Sequence, residues 1–160
     1  MKQLQRNLFI GLGGSGQTSL LEIKRSLMET NPDLDRVPEQ VQFLAIDTDS
    51  CIDPVKTSAG KDVSLEGNEF FQVGRQGSGR VARAAEWWPA DCADYPTANR
   101  GASQKRLHGR AKLAADLHSV KSRIDDAISR ATAVADTGND DVKADGLKVW
   151  IVCSLAGGTG

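Results

Sequence analysis

The chain has 160 residues, a formal net charge of −1 and an isoelectric point of about 6.1. This length suffices for one domain with a core, and the near-neutral charge argues against a nucleic-acid or anionic-membrane surface. No run approaches the ~18 apolar residues of a membrane span, and the first residues do not open a signal peptide. Cys51, Cys92 and Cys153 are odd in number and far apart, which indicates free thiols in a cytoplasmic protein.

A glycine-rich stretch near the N-terminus, Gly11–Gln17, is the strongest local pattern. It follows the apolar run Leu8–Ile10, which predicts a first strand over about 6–10 that is buried on both faces. Beyond it, apolar residues recur at helical spacing up to about Glu29, which predicts a helix. Glycines at such a junction let a phosphate approach unpaired backbone N–H groups. The pattern predicts a phosphate-binding turn, and a tight turn without a ligand is the alternative.

The second predicted strand, Val41–Ile46, ends in a short acidic segment. Asn31–Asp33 is expected to end the first helix, and 34–40 to connect it to this strand. Acidic residues after the second strand of a doubly wound sheet lie on its ligand side. Asp47 and Asp49 therefore either face a nucleotide or cap a turn through their own backbone.

The middle of the chain carries a weaker pattern. Residues 51–68 predict mostly loop, and a short third strand is expected at Glu69–Val73. Gly74–Arg80 follows as a third glycine-rich, basic loop. It either reaches phosphate oxygens through backbone N–H groups and Arg75 or Arg80, or it is an exposed turn.

A long helix is predicted from about Ser103, because apolar residues recur every three or four positions. The stripe comprises Leu107, Ala111, Ala114, Leu117, Ile124, Ala127 or Ile128, and Ala131. The opposite face carries the basic residues Lys105, Arg106, Arg110, Lys112, Lys121 and Arg123. We expect His108 and His118 on the surface. Trp87 and Trp88 precede this helix, and adjacent side chains point different ways, so one is expected to pack and the other to lie at a surface.

After a polar, acidic linker at 136–145, a fourth strand is predicted at Leu147–Cys153, and a second strong glycine loop, Ala156–Gly160, follows it. The alternation of strands and helices predicts an α/β fold with a doubly wound, mainly parallel sheet. In the order 3-2-1-4, the strands before the two strongest glycine loops are neighbours. Both loops then flank one crevice, which predicts a nucleotide with a polyphosphate tail.

Two familiar phosphate-binding patterns fit less well. A P-loop requires a lysine after its last glycine, and here Gln17 follows Gly16. A dinucleotide-binding Rossmann domain accounts for the first glycine turn and for Asp47 beside a ribose, which leaves NAD as an alternative ligand. It does not require the loop Ala156–Gly160.

Four segments resemble the tubulin/FtsZ superfamily, in matching order over nearly the whole chain. Phe9–Gly16 resembles the first glycine loop of the family. Val41–Asp49 is similar to the FtsZ segment that ends in Asn-Thr-Asp, with Asp47 in place of the Asn. Phe71–Gly74 looks like the third strand and the glycine after it. Ala156–Gly160 resembles the signature Gly-Gly-Gly-Thr-Gly, with alanine in place of the first glycine.

The segment Gly101–Arg110 is similar to a divergent group of bacterial tubulin-like proteins rather than to FtsZ itself. The resemblance implies a bacterial, cytoplasmic protein that binds GTP with Mg²⁺ and self-associates head to tail into filaments. Residues 1–160 are then a single nucleotide-binding domain that lacks its C-terminal part. The implied nucleotide-binding residues are Gly11, Gly13, Gly14, Ser15, Gly16, Gln17, Asp47, Asp49, Gly74, Gly157, Gly158, Thr159 and Gly160. Asp49 would also lie near the magnesium ion or its waters.

In the family, hydrolysis of GTP needs an acidic loop far downstream, which the next subunit of a filament contributes. No catalytic residue is therefore assigned here, and residues 1–160 alone are not expected to hydrolyse GTP. Two rivals stay open. One is an ATP-dependent adenylating enzyme of the ubiquitin-activating type, which also pairs a glycine turn with an Asp-x-Asp after strand two. The other is a tubulin-like scaffold that polymerises without hydrolysis.

Overall fold

A computed structural model of the chain describes residues 5–31, 36–98, 100–133 and 146–159. Its elements, in chain order, are β1 (Asn7–Leu12), α1 (Gly13–Thr30), β2 (Val41–Asp47), β3 (Val55–Lys56), β4 (Asp62–Val63), β5 (Phe70–Gln72), α2 (Ser78–Ala84), α3 (Arg106–Ala115), α4 (Leu117–Ala133) and β6 (Lys148–Cys153). Residues 32–35 lie outside the described residues, so most of the predicted helix stop and the start of the predicted connector are not described; the predicted linker over 136–145 and Gly160 lie outside them as well.

The main sheet has four parallel strands in the order β5-β2-β1-β6. The central strand β1 pairs with Val41–Ile46 on one side and with Lys148–Cys153 on the other. The predicted α/β fold and the neighbouring positions of the first and last strands are confirmed. Parallel pairing brings the carboxyl ends of all four strands to one edge of the sheet, where ligands bind in doubly wound folds. Between β2 and β5, in the segment predicted mostly as loop, β3 and β4 form a short antiparallel pair.

Helices cover both faces of this sheet. On one face, Leu20 and Leu21 of α1 pack against Phe43 and Ala45 of β2, all fully buried. On the other face, Val120 and Ala127 of α4 belong to a buried cluster with four apolar strand residues, Leu8, Ile10, Leu44 and Ile46. The apolar runs in β1 and β2 are unbroken because successive side chains alternate between these two cores.

The prediction of one long helix is wrong, because α3 ends at Ala115 and α4 starts at Leu117. The intervening Asp116 has φ −115° and ψ 17°, and its carboxylate accepts a hydrogen bond from the N–H of Gly74 at 2.5 Å. This long-range contact stabilises the break. Two members of the predicted apolar stripe, Ala114 and Leu117, are consequently exposed.

Lys112 was expected on the polar face of the helix but is fully buried. Its Nζ donates hydrogen bonds to the carbonyl oxygens of Gly74, at 3.0 Å, and Thr97, at 2.8 Å. Burial lowers the pKa of Lys112, while the nearby carboxylates of Asp116 and Asp49 oppose this shift. Lys112 and Asp116 thus hold both polar backbone atoms of Gly74.

A smaller cluster around Trp88 lies between α2 and α3. Trp88 is buried and its neighbour Trp87 is half-buried, as the sequence predicted. Trp88 stacks on Tyr95 and on His108, with ring centroids 5.5 Å and 6.0 Å away. His108, predicted as a surface residue, is therefore partly buried, whereas His118 is exposed.

The edge strand β6 is more exposed than the strands beside it. Val149, Trp150 and Ile151 retain 49, 50 and 67% of their accessible surface. Trp150 nevertheless stacks on Phe9 of β1, at a centroid distance of 6.1 Å. Within the described ranges, no helix combines the length and the apolar character that crossing a membrane requires.

Candidate functional site

The first glycine stretch forms the end of β1 and the beginning of α1 without a separate loop. Gly11 and Leu12 belong to the strand, and Gly13, with φ +71°, begins the helix. No side chain caps this helix start, and its first turn contains no acidic residue. The unpaired N–H groups at a helix start attract an anion, so this end of α1 is suited to a phosphate.

The glycines of this stretch have different physical roles. A Cβ on Gly11 would lie 2.7 Å from the carbonyl oxygen of Gly16, and a Cβ on Gly16 would lie 2.6 Å from the carbonyl carbon of Gly11. These two glycines therefore allow β1 and α1 to pack closely. A Cβ on Gly14, in contrast, would meet nothing within 4 Å. Gly14 faces open space, which leaves its backbone accessible to a ligand.

Gln17 is fully buried and its side chain is bonded to the protein. Its Nε2 donates to Asp47 Oδ2 at 2.6 Å and to the carbonyl oxygen of Ser50 at 3.3 Å. Its Oε1 accepts from the N–H of Ile52 at 3.0 Å. Gln17 thus joins α1 to the segment after β2, and its amide has no donor left for a phosphate.

Asp47 is the centre of the hydrogen-bond network at this edge of the sheet. Its side chain is buried, and Oδ1 accepts from the N–H groups of Thr48, at 2.6 Å, and Asp49, at 3.3 Å. The same oxygen accepts from the hydroxyl of Thr159 at 3.3 Å. Asp47 thus organises its own turn, which was one of the two predicted alternatives, and it also lines a cleft at the sheet edge.

Thr48 connects this network to two further segments. Its hydroxyl lies 3.0 Å from the hydroxyl of Thr159 and accepts a hydrogen bond from the N–H of Ala102 at 2.9 Å. The loop after β6 and the segment before α3 are thereby held against the end of β2. The hydroxyl of Thr159 points into this network, so it positions the loop rather than offering itself to a ligand.

A tight turn before α3 forms a further wall, which the sequence reasoning missed. Ser103 and Gln104 have φ of +47° and +64°, and the N–H of Lys105 bonds to the carbonyl oxygen of Ala102 at 2.8 Å. A positive φ is strained for a residue other than glycine, and here two such residues follow one another. Backbone strain of this kind concentrates at functional sites. A Cβ on Gly158 would lie 2.8 Å from the Cβ of Ala102, so the glycine loop rests directly on this turn. The resemblance of 101–110 to tubulin-like proteins was the feature of the sequence that pointed to this segment. The helical periodicity instead predicted a helix from about Ser103, so the turn was missed.

These segments enclose a cleft of about 710 Å³ at the carboxyl edge of the sheet. A cleft of this size is in the usual range for small-molecule sites. Most of the predicted nucleotide-binding residues line it, namely Gly13, Gly14, Ser15, Gln17, Asp47, Asp49, Gly157, Gly158 and Thr159. Gly11 and Gly16 lie behind it as packing residues, and Gly160 lies outside the described residues.

Gly74 is not among the lining residues of this cleft. Its φ is +73°, its two polar backbone atoms are bonded to Lys112 and Asp116, and the Lys112 side chain fills the space of a Cβ. Arg75 lines a neighbouring cleft. The basic loop at 74–80 therefore does not line this cleft. The turn at 102–104 lines it together with the two glycine-rich segments.

Asp49 is exposed at the mouth of the cleft, and its Oδ1 accepts from the N–H of Ser50 at 3.0 Å. Across the described ranges, no group of three or more His, Cys, Asp or Glu side chains is placed to hold a metal ion. Magnesium is commonly bound through one or two carboxylates together with substrate phosphates and waters, so the donor set fits Mg²⁺ only alongside a phosphate ligand.

Cys51 also lines the cleft and is exposed, as is Cys153 at the end of β6. All three cysteines are free. Desolvation by the surrounding protein raises the pKa of the Cys51 thiol.

Comparison with known proteins gives one match. A family model described as "Tubulin like" matches residues 8–160, which include every element of the fold except the first residue of β1. No curated protein and no solved structure matches the chain.

Proposed function

Because the chain belongs to the tubulin-like family, we propose that its cleft binds GTP with Mg²⁺. The observation that carries this proposal is the hydrogen-bond network centred on Asp47, in which Gln17 of α1 and Thr159 of the loop after β6 both donate to the Asp47 carboxylate. Two backbone surfaces suited to phosphate thus face one cleft. A dinucleotide site needs only the first of them.

In this proposal, the N–H groups of Gly14 and Ser15 contact the phosphates from one side, and the backbone of Gly157 and Gly158 contacts them from the other. Asp49 at the mouth holds the Mg²⁺ directly or through its waters. The ion, when bound, neutralises phosphate charge that the uncapped helix start alone does not balance. Gln17 and Asp47 bind no phosphate; they fix the spacing of the two loops.

The test is calorimetric titration of the protein with GTP, GDP, ATP and NAD, each in the presence of Mg²⁺. The variant is Gly14→Val, at a glycine that lines the cleft and whose Cβ position has no protein atom within 4 Å. We expect wild type to bind GTP and the variant to lose at least about 2 kcal/mol of binding free energy, because the valine displaces the phosphate from the backbone.

The matched control is Gly67→Val, at an exposed glycine that also has nothing within 4 Å of its Cβ position. It lines neither this cleft nor the neighbouring one. Equal GTP affinity in both variants would contradict the proposal. Binding of ATP alone would favour the adenylating enzyme, and binding of NAD alone would favour a dinucleotide-binding domain.

We further propose that the protein self-associates head to tail into filaments in the bacterial cytoplasm. Membership of the tubulin-like family supports this assembly. Light scattering and sedimentation in the presence of GTP and of GDP test it. Assembly that depends on GTP is expected, and a monomer at all nucleotide concentrations would refute it.

From the exposed edge of β6, we also propose that residues 1–160 are one domain completed by further chain. Val149 and Ile151 are apolar yet largely exposed, and a β-strand edge has unpaired backbone groups. Amide hydrogen exchange tests this, since a partner strand would protect the outward N–H groups of β6 in a longer form of the protein. Equal exchange in both forms would refute it.

A further inference from the structure

The part of the chain that forms α2, α3 and the segment between them carries an excess of positive charge. Residues 75–110 contain seven arginines and lysines but three acidic residues, whereas the whole chain contains 20 and 21. One of those three carboxylates, Asp94, is already bonded to Lys105 and lies 3.5 Å from His108. The cationic groups of this surface therefore outnumber the carboxylates that are available to pair with them.

Four exposed arginines of the two helices form what we call the arginine surface, namely Arg80 and Arg83 of α2 and Arg106 and Arg110 of α3. On each helix the two arginines are three or four residues apart, so they lie on one face. Within the described part of the chain, none of the four is paired with a carboxylate; Arg106 donates to the carbonyl oxygen of Leu155. The proposed nucleotide site uses none of these side chains.

Aromatic rings support two of these arginines. The guanidinium carbon of Arg83 lies 5.3 Å from the centre of the Tyr95 ring, and that of Arg110 lies 4.2 Å from the centre of the Trp87 ring. Trp88 is buried between these rings, with centroid distances of 5.5 Å to Tyr95 and 5.9 Å to Trp87. A guanidinium group that lies over a ring keeps its N–H edge free for a carboxylate. Both arginines therefore lose less conformational freedom when they bind a partner.

The position of α3 places the arginine surface at the carboxyl edge of the main sheet. Gly109 packs so closely on the backbone of Gly158, after β6, that no Cβ would fit between them. One turn further on, Lys112 donates to the carbonyl oxygen of Gly74, after β5. Since β5 and β6 are the outer strands of the sheet, α3 spans this edge from one side to the other. The arginine surface thus belongs to the same end of the molecule as the proposed nucleotide site.

The predicted acidic linker, 136–145, is attached to the opposite edge of the sheet. Its sequence contains four aspartates and one lysine. Before it, Arg130 in the last turn of α4 donates to Gln42 at the beginning of β2. After it, Lys148 begins β6. Both attachment points therefore lie at the amino ends of the strands, away from the arginine surface.

We propose that the arginine surface of one copy binds the acidic segment 136–145 of a second copy. Arginine forms charge-assisted, often bidentate, hydrogen bonds with carboxylates, and opposite charges at opposite ends of a chain favour an end-to-end contact. The partner is an acidic polypeptide and not a nucleic acid, because the chain as a whole has a net charge of −1. Head-to-tail stacking rests on the proposed function, whereas binding of the acidic segment to the arginine surface does not.

The partner is a second copy because of the distance between the two ends of the molecule. With 17 residues, α4 is about 25 Å long, and it runs between the two edges of the sheet. The residues from 134 to 147 span at most about 50 Å when fully extended. Passage to the arginine surface and back within one chain would use that whole length, whereas the next copy in a stack presents its arginine surface directly.

The first measurement titrates nucleotide-free protein with a labelled peptide of residues 134–147 at low salt, followed by fluorescence anisotropy. We expect saturable binding in wild type and at least about a tenfold loss of affinity in Arg83→Gln/Arg110→Gln. A peptide in which all four aspartates are replaced by asparagine should bind wild type as weakly. This second comparison leaves the protein unchanged, so it does not depend on the folding of a variant.

The matched control is Lys56→Gln/Lys121→Gln, which removes the same charge from exposed positions on β3 and α4. It should bind the peptide within about twofold of wild type, since long-range charge contributes little beyond the Debye length. An equal loss in both double variants, or equal binding of the neutral peptide, would overturn the proposal. So would a DNA duplex that binds more tightly than the peptide and depends on the same arginines.

Sedimentation with GTP then separates this inference from the proposed function. Arg83→Gln/Arg110→Gln and a protein whose four linker aspartates are asparagine should both assemble less than wild type, with unchanged affinity for GTP. If wild type does not assemble, the proposed self-association fails, while the peptide titration still decides whether the arginine surface binds the acidic segment. If wild type and both variants assemble equally, the proposed contact between copies is wrong.

Discussion

The Asp47→Asn substitution tests the network that joins the two glycine loops. Asp47 Oδ1 accepts from three donors, and Oδ2 accepts from Gln17 Nε2 at 2.6 Å. Asparagine has a single side-chain oxygen, which would take the place of Oδ1 and accept from the same three donors. Its Nδ2 then faces Gln17 Nε2, so two donors meet within the protein. Rotating the Gln17 amide does not help, because its Nε2 would then face the N–H of Ile52.

The expected cost is the loss of one buried, charge-assisted hydrogen bond, about 2 kcal/mol of unfolding free energy. For a domain of this size, that corresponds to a fall in Tm of roughly 4–8 °C. The assay is thermal and urea unfolding of wild type and variant, with Asp125→Asn on the exposed side of α4 as the control. GTP affinity should also fall, since the spacing of the loops depends on the same carboxylate.

A second substitution tests the pairing of Gln17 with Asp47 directly. Gln17→Glu alone places two carboxylates 2.6 Å apart and should destabilise the protein by more than about 3 kcal/mol. Combined with Asp47→Asn, the glutamate accepts from the amide of the introduced asparagine and still accepts from Ile52, so the double variant should be more stable than Gln17→Glu alone by at least about 1 kcal/mol. It should not reach wild type, because the carbonyl oxygen of Ser50 loses its donor. Additive losses in the double variant, or an Asp47→Asn variant as stable as the control, would refute the network.

Three further predictions concern the packing around the cleft. Gly16→Ala should lower stability by about 2 kcal/mol or more, because its Cβ would lie 2.6 Å from backbone, whereas Gly14→Ala should unfold like wild type; urea unfolding compares them. Lys112→Met should destabilise the protein by leaving two carbonyl groups without donors. Burial lowers the pKa of Lys112 in the folded protein below its unfolded value of 10.5, so the charged form of this lysine opposes folding. As the pH rises toward 10.5 this cost disappears from wild type. The difference in unfolding free energy between wild type and Lys112→Met should therefore widen. Ile124→Asp should abolish cooperative unfolding, since Ile124 packs against the core, while Lys121→Ala, on the exposed side of the same helix, should stay within about 0.5 kcal/mol of wild type; circular dichroism during heating decides.

The sheet and its order could be predicted because they depend on local patterns. The apolar runs of β1, β2 and β6 are long enough to identify strands, and two of these strands, β1 and β6, each precede a glycine-rich segment. The order 3-2-1-4 then brings these segments together. The convergence of the two loops on one cleft follows from topology alone, without any side-chain contact.

The break at Asp116 could not be predicted from periodicity. It depends on a hydrogen bond to Gly74, which is 42 residues away in the sequence. The burial of Lys112 could not be predicted for the same reason, because its contact with Gly74 also joins segments that are far apart in the sequence. On a continuous helix, Lys112 would belong to the polar face. Lys112 donates to the carbonyl oxygens of Gly74 and Thr97. Because these partners are backbone atoms, no acidic residue in the sequence indicates that this lysine is buried.

The roles within the cleft were also not visible in the sequence. Gln17 and Thr159 belong to the two glycine-rich segments, and their polar side chains suggested phosphate contacts. In the fold, both side chains point toward Asp47. Motif position identifies the segment that reaches a ligand, but the direction of each side chain depends on contacts made by other segments.

The aspartate at position 47 follows from this arrangement. Donors approach it from two sides, from Gln17 on one and from Thr48, Asp49 and Thr159 on the other. Only a carboxylate presents an acceptor to both sides, since an asparagine presents an acceptor to one and a donor to the other. The carboxylate at position 47 is therefore explained by its hydrogen bonds within the protein, above all by that from Gln17. The substitution that departs from the Asn-Thr-Asp of FtsZ thus concerns the spacing of the two glycine-rich loops.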